Sequence, residues 1–338
     1  MAVALGCVVL PFALAALGQP ISARGVAWVV LGMVAVVALA IGGTRGRVAA
    51  GLAVGAWISV IVATLAWPLR DDAFLRAIVL PSGEAAGAGG RVFAERDISL
   101  VGVRLLRLRR GFSDRELEGF VPALTRAYDE IDRDAGEVAS VPFLSTLFGR
   151  QSAARFDAFV HEEDGTERWL VFLHGYGGSF VAQCWAVARI AADVGVSTIC
   201  PATTIAGRWD LGDGPAIVRR TLEEIRARGA ASIVLAGLSN GGIGASNLAT
   251  ALGTEIDGLA LLSGLDSRAT PPRVPTLVWH GIHDERFRID RVREWAATLP
   301  QGELIEVDGD HFALLEQRDE LAEALSGFLA GIGDRRAR

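Results

Sequence analysis

Lysine is absent from this chain of 338 residues, and every basic side chain other than its five histidines is an arginine. A Ser–Lys dyad, a Schiff-base lysine and a lysine-containing phosphate loop are therefore excluded. A general base that works near neutral pH must be a histidine or a carboxylate whose pKa is perturbed. The formal net charge of −6 gives no indication of nucleic-acid binding.

Cysteine is scarce, with residues only at positions 7, 184 and 200. Their spacing matches no zinc-binding or redox motif, and the sequence predicts neither a metal ion nor a cofactor. Cys7 lies in an apolar segment. Cys184 and Cys200 pair if the domain is exported, but we expect them to be buried free thiols.

Charge is missing from three long apolar stretches near the N-terminus, Met1 to Gly18, Val26 to Gly43 and Val48 to Leu69. Each is close to the roughly 20 residues that cross a bilayer. We therefore predict three transmembrane helices within residues 1–70. The alternative for the first stretch is a cleaved signal peptide, although no positive charge precedes it.

The arginines around these stretches bear on orientation. Arg45 and Arg47 lie in the loop between the second and third stretches, whereas Arg24, Arg70 and Arg76 lie on the other side. The two counts are nearly balanced under the positive-inside rule. The tight pair in a short loop favours an extracytoplasmic catalytic domain.

Residues 71–112 are interpreted as a linker and an edge segment. Pro81 to Gly90 has the composition of a flexible linker, and Val101 to Arg109 alternates as an edge strand does. A domain at 113–335 follows. It opens with a helix whose capping box pairs Ser113 with Glu116.

Within this domain, short apolar strands alternate with helical patterns from about residue 154 onward. This alternation predicts a mostly parallel sheet with helices on both faces, which is an α/β fold. Only Ser263 to Arg273 separates two of the later strands, which leaves no room there for a large lid.

The most informative motif is the G-x-S-x-G pentapeptide Gly237-Leu238-Ser239-Asn240-Gly241. It lies between an apolar stretch that predicts a strand and a run of small residues typical of a helix. At a sharp strand-to-helix turn, glycine two residues on either side removes a steric clash. The central serine can then present its hydroxyl at the tip of the turn.

Three further motifs follow apolar strands. His174-Gly175-Tyr176-Gly177-Gly178 is a loop whose backbone N–H groups can point into a cleft. Later strands run into His280-Gly281-Ile282-His283-Asp284 and into Gly309-Asp310-His311. A serine, an aspartate and a histidine in these motifs thus occur in that order along the chain.

Together these four motifs give the stretch from about Ala154 to Leu329 a resemblance to the α/β-hydrolase family of serine hydrolases. The resemblance implies that Ser239 is the nucleophile, Asp284 the acid and His311 the base of a catalytic triad. It also implies an oxyanion hole formed by the backbone N–H groups of Tyr176 and Asn240. It does not extend to the membrane segments.

Other residues compete for two of these roles. Asp266 follows the preceding strand, where some hydrolases of this type place the acid, whereas Asp308 and Asp310 are neighbours of His311 and are interpreted as loop residues. His174 and His280 are interpreted as structural. A metal site at His280, His283 and Asp284 lacks a further ligand cluster.

The sequence thus predicts a membrane-anchored serine hydrolase that cleaves a small-molecule or lipid-like carboxylic ester, or a thioester, through an acyl-enzyme. A peptidase of the same fold and a non-catalytic interaction module are the alternatives, because fold does not choose among them.

Overall fold

The computed structural model describes residues 21–66, 73–86, 94–108, 111–135 and 141–336, and the isolated positions 9, 13, 14 and 16. The strands of this part of the chain are β1 (Arg76–Leu80), β2 (Glu84–Ala85), β3 (Phe156–His161), β4 (Arg168–Leu173), β5 (Ser197–Pro201), β6 (Ser232–Leu238), β7 (Gly258–Leu262), β8 (Thr276–Gly281) and β9 (Gly302–Val307). The α-helices of the same part of the chain are α1 (Ala23–Ile41), α2 (Gly43–Ala66), α3 (Glu95–Leu108), α4 (Asp114–Ala135), α5 (Val141–Leu147), α6 (Val181–Ala192), α7 (Gly214–Ala227), α8 (Asn240–Leu252), α9 (Ile289–Ala296), α10 (Ala313–Glu316) and α11 (Arg318–Arg336).

The strands form one sheet in the order β2-β1-β3-β5-β4-β6-β7-β8-β9. The six from β5 to β9 in this order are parallel, whereas β3, β1 and β2 add to one side as antiparallel neighbours. Parallel strands place their carboxyl ends along one edge of the sheet, which we call the catalytic edge. Loops that carry function in open α/β sheets lie at this edge.

Helices cover both faces of the sheet. Because successive strand residues point to opposite faces, each strand contributes to two cores. Leu170 and Phe172 of β4 join a core with α4, α6 and α11. Trp169 and Val171 of the same strand join a second core with α7, α8 and α9. The α/β-hydrolase fold predicted for this region is therefore confirmed.

Helices α1 and α2 are long and apolar enough to cross a membrane, judged by length and composition. They form an antiparallel hairpin, in which Trp28 and Trp57 stand at matching distances from the turn and their rings lie 4.6 Å apart. The second and third predicted spans correspond to these helices. The first predicted span lies outside the described residues except at the isolated positions given above.

The edge strand predicted at Val101 to Arg109 is wrong, because residues 101–108 belong to helix α3. Arg109 lies outside the described residues. Leu100 and Val103 of α3 face the core beside α4, while Val101 packs with Ala16 in a separate cluster. A helix buried on two sides loses the simple helical spacing of apolar residues. Its pattern therefore resembles the alternation of a strand.

The sheet also begins earlier than the predicted domain start at residue 113. Strand β1 pairs along its whole length with β3, and β2 extends the same sheet. The segment interpreted as linker and edge therefore supplies the outer strands. Part of the predicted flexible linker, Pro81 to Ala86, is a turn and a strand, and the rest of it lies outside the described residues.

The expectation that Cys184 and Cys200 are free thiols is also wrong, because they form a disulfide. Cys184 lies on α6 and Cys200 on β5, and their Cα atoms are 6.0 Å apart. Helix α6 packs directly over β5, so the fold brings together two residues whose spacing in sequence matches no motif. Both are buried in the same core.

Candidate active site

Ser239 stands at the turn between β6 and α8 with a φ of 55° and a ψ of −118°. This strained conformation is uncommon for a residue other than glycine. The turn is tight because a Cβ at Gly237 would lie 2.3 Å from the carbonyl oxygen of Gly241. A Cβ at Gly241 would lie 2.0 Å from the carbonyl oxygen of Leu173. Both flanking positions therefore require glycine, as the G-x-S-x-G pattern predicts.

The structure brings Ser239, Asp284 and His311 together at the catalytic edge. Nε2 of His311 is 3.0 Å from Oγ of Ser239, and Nδ1 of His311 is 2.8 Å from Oδ2 of Asp284. All three side chains are at least nine-tenths buried. Because a carboxylate accepts only, Nδ1 of His311 carries the proton and Nε2 is free to accept the hydroxyl proton of Ser239.

The second oxygen of Asp284 is held by the backbone. Its Oδ1 accepts hydrogen bonds from the amides of Arg286, at 2.8 Å, and Phe287, at 3.0 Å. These charge-assisted bonds orient the carboxylate so that Oδ2 faces His311. The ring of Phe287 also stacks on the imidazole of His311, with ring centroids 5.6 Å apart.

Two other histidines near the site are buried and uncharged. Burial lowers the pKa of His174 to about 4. Its Nε2 accepts from the amide of Thr203, and its Nδ1 donates to the carbonyl of Gly175. Burial also lowers the pKa of His280, which donates from Nε2 to the carbonyl of Phe287 at 2.7 Å. Each therefore braces a loop, the role expected from its position at a strand end.

The loop that begins at His174 lies against the nucleophile. A Cβ added at Gly175 would lie 3.0 Å from the Cβ of Ser239, so only glycine allows this approach. The amide of Gly177 is turned away and donates to the carbonyl of Ile205 at 2.8 Å. Tyr176 directly follows the glycine that packs against Ser239, and Asn240 directly follows Ser239 as the first residue of α8.

The rival acids make other contacts. Asp266 accepts from the side chain of Asn247 and the amide of Arg268. Asp308 bonds to the ring of His283, and Asp310 caps the amide of Phe312. Among the described residues, no group of three histidine, cysteine or acidic side chains is arranged to hold a metal ion.

The sequence predicts a role for the backbone N–H of Asn240, but it does not predict the side-chain contact of Asn240 or the contribution of Trp209. The side-chain amide of Asn240 donates to the carbonyl of Ala206 at 2.7 Å, and the indole of Trp209 donates to the carbonyl of His174 at 2.9 Å. The first bond fastens the loop after β5 to the start of α8, and the second fastens it to the loop that begins at His174. The residue after the nucleophile in the G-x-S-x-G motif was the one available signal, because its side chain lies beside the turn.

Helix α4 precedes the motifs in the sequence, but its first turn contacts the loop that holds Asp284. Glu116 forms an ion pair with Arg286, whose guanidinium also donates to the carbonyl of Gly111 and lies over the ring of Phe312. Because the amide of Arg286 binds Asp284, this contact joins the start of α4 to the loop that holds the acid. The predicted capping bond between Ser113 and Glu116 is present as well, at 2.7 Å.

No protein-family model matches this chain, and no curated protein matches it in sequence. Solved structures are similar to about half of it. Est1E from Butyrivibrio proteoclasticus is 16% identical with a TM-score of 0.45, and the match covers 53% of this chain and 94% of that one. An α/β serine hydrolase without lid from Xanthomonas campestris is 26% identical with a TM-score of 0.44, over 51% of this chain and 87% of that one.

A predicted CIB-like hydrolase from Thermoplasma acidophilum is similar at 21% identity and a TM-score of 0.43, over 52% of this chain and 92% of that one. In the chain described here, the strand order, the turn at Ser239 and the placement of acid and histidine after β8 and β9 define the α/β-hydrolase fold.

Proposed function

We propose that this protein is a membrane-anchored serine hydrolase that cleaves a carboxylic ester, or a thioester, through an acyl-enzyme on Ser239, Asp284 and His311. The observation that carries the proposal is the unbroken chain of short contacts from Oγ of Ser239 through both ring nitrogens of His311 to Asp284. A serine hydroxyl is a weak nucleophile until an oriented imidazole takes its proton.

In the first half-reaction, Nε2 of His311 takes the proton of Ser239 as Oγ bonds to the carbonyl carbon. The tetrahedral intermediate then collapses, the bond to the leaving oxygen or sulfur breaks, and His311 protonates that leaving group. In the second half-reaction, water gives its proton to His311 and attacks the acyl-enzyme. Ser239 is released with a proton returned by His311. Asp284 stabilises the imidazolium in both halves.

The amides of Tyr176 and Asn240 are proposed to stabilise the negative oxygen of the tetrahedral intermediate. Two observations support this role: Tyr176 follows Gly175, which packs against Ser239, and Asn240 begins α8 directly after Ser239. Removing one such donor from a serine hydrolase typically lowers turnover by about 10²- to 10³-fold.

A fluorophosphonate probe tests the proposal, because it reacts only with an activated serine. We expect the wild-type chain to be labelled, and Ser239→Ala to lose both labelling and hydrolysis of p-nitrophenyl acetate. Ser246→Ala is the matched control, since Ser246 lies on α8 and contacts neither His311 nor Asp284. An unlabelled wild-type chain contradicts the proposal and favours a non-catalytic interaction module.

The division into a membrane segment and a hydrolase domain whose sheet begins at β1 is part of the proposal. Anchoring is supported by the apolar hairpin of α1 and α2, of which little is buried against the domain. The Ser22 end of the hairpin contacts the domain. If the hairpin spans the bilayer, Arg45 and Arg47, in the first turns of α2, lie on the side away from the domain. The positive-inside rule then favours an extracytoplasmic domain.

The disulfide is independent support for this orientation, because such bonds persist mainly in oxidising compartments. Membranes from expressing cells are denatured without reductant and treated with a maleimide polymer. We expect the protein to gain one adduct, at Cys7. After reduction, Cys184 and Cys200 should add two more. Three adducts before reduction would contradict an extracytoplasmic domain, and Cys7→Ser identifies the adduct that does not depend on reduction.

A further inference from the structure

The domain contacts the membrane hairpin through a buried carboxylate. Asp97 of α3 accepts hydrogen bonds from both the amide and the hydroxyl of Ser22, each at 2.6 Å. Ser22 is the N-cap of α1, and its hydroxyl in turn accepts from the amide of Gly25. A Cβ at Gly25 would lie 2.3 Å from Asp97, so the carboxylate fits closely against the first turn. The place where α1 begins is thus tied to α3.

The same helix binds the start of α6, which follows the loop that begins at His174. Glu95 lies just before Asp97 on α3. Its carboxyl group accepts hydrogen bonds from the amide of Val181 at 2.6 Å and from the hydroxyl of Tyr128 at 2.9 Å. Burial raises the pKa of Glu95 to about 8, so this carboxyl is largely protonated at neutral pH. Val181 begins α6 directly after the loop that starts at His174. Ser22, Glu95 and Val181 also line one cavity of about 290 Å³.

Covalent connection alone does not impose this arrangement. After α2 the described chain resumes at residue 73, and Phe74 stacks on His161 with ring centroids 4.0 Å apart. His161 ends β3, which is antiparallel to β5, so this contact lies at the edge of the sheet opposite the catalytic edge. The hairpin is therefore held by α3, which binds the start of α6. The chain that follows the hairpin enters the sheet at the edge opposite the catalytic edge.

The loops at the catalytic edge carry exposed apolar side chains. Tyr176 is 60% exposed, Leu211 54%, Ile205 38% and Ile282 36%. They follow β4, β5 and β8, the strands whose loops surround Ser239. The amide of Gly177 binds the carbonyl of Ile205, which places two of these loops in direct contact. We call these four residues the apolar rim. Exposed apolar groups that cluster at one edge are suited to contact with acyl chains.

We propose that the catalytic edge faces the bilayer and that the substrate is an acyl ester of a membrane lipid, which the apolar rim receives from the leaflet. This inference rests on the proposed function. The Ser22 end of α1 marks the membrane surface, and α3 holds it beside the loop that precedes α6. The apolar rim occupies the same edge, so a lipid ester at the depth of the head groups reaches Ser239 without leaving the membrane.

Orientation is tested without catalysis by attaching an environment-sensitive fluorophore to a single cysteine. The full chain carrying Cys7→Ser and Leu211→Cys is reconstituted in phosphatidylcholine vesicles that contain a head-group spin-labelled lipid. Ala231→Cys, at the opposite edge just before β6, is the matched control. We expect at least twofold stronger quenching at position 211 than at 231. Equal quenching, or stronger quenching at 231, would overturn the inference.

Substrate class is tested by activity on vesicle-borne phosphatidylcholine and on p-nitrophenyl acetate in the same reconstituted sample. We expect Leu211→Asp to lower hydrolysis of the vesicle-borne ester at least tenfold more than hydrolysis of the soluble ester. Ala231→Asp adds the same charge at the opposite edge and should change neither rate by more than twofold. If the soluble ester is cleaved in a Ser239-dependent way and the lipid is not, the inference fails and the proposed function stands. If neither is cleaved and no fluorophosphonate label forms, the proposed function fails.

Discussion

Asp284→Asn is expected to lower kcat for p-nitrophenyl ester hydrolysis by about 10⁴-fold, because an amide in place of the carboxylate favours the wrong tautomer of the imidazole. Nδ1 of His311 now donates to Oδ2 of Asp284. An amide NH₂ at that position would donate to Nδ1 instead, and Nε2 would carry the proton and no longer accept from Ser239. Steady-state kinetics on the full chain in detergent measure the effect.

Asp266→Asn is the matched control for this prediction. Asp266 follows β7, the neighbouring strand, but its carboxylate binds Asn247 and the amide of Arg268 rather than His311. We expect its kcat to stay within about threefold of wild type. If Asp266→Asn lost activity and Asp284→Asn kept it, the acid would be Asp266 and the proposed triad would be wrong.

Gly241→Ala is expected to lower the free energy of unfolding by at least about 3 kcal/mol, the upper part of the range for overpacked positions. The new Cβ would lie 2.0 Å from the carbonyl oxygen of Leu173 and 2.8 Å from that of His174, and both are backbone atoms. Helix α8 would have to move away from β4. Because α8 begins beside Ser239, activity should also fall by about 10²-fold, as a displacement near 1 Å can cause.

Thermal unfolding in detergent, followed by circular dichroism, measures the change in stability. Gly327→Ala is the control, because a Cβ at this exposed position of α11 would meet no atom within 4 Å. Alanine is a better helix former than glycine by about 1 kcal/mol, so this variant should be as stable as wild type or slightly more stable. A Gly241→Ala chain with unchanged melting and activity would show that the turn tolerates a side chain.

The site was more predictable from the sequence than its surroundings were. The glycines around Ser239 and the strand-end positions of Asp284 and His311 are local patterns that report backbone geometry, and parallel strands gather their ends at one edge. Of the candidates that the motifs indicate, His311 is the one that contacts Ser239, and Asp284 is the one that contacts His311. The contacts of Phe287 and Arg286 depend on which elements pack together, and no local pattern encodes them.

The errors have the same origin. Helix α3 was interpreted as a strand because Val101 and Val103 pack in different clusters, so its apolar residues do not follow one face. The Cys184–Cys200 bond depends on α6 crossing β5, which the residues between them do not indicate. Strands β1 and β2 were assigned to a linker because β2 is only two residues long and lies in a stretch rich in glycine.

The two outermost strands of the sheet are poor templates for pairing with another chain. On one side, β2 offers only Glu84 and Ala85. On the other side, β9 carries Glu303 and Glu306, and Arg293 of α9 forms an ion pair with Glu306. Short or charged outer strands oppose the edge-to-edge addition that leads to aggregation. Neither outer strand therefore favours the joining of the sheets of two copies of this chain.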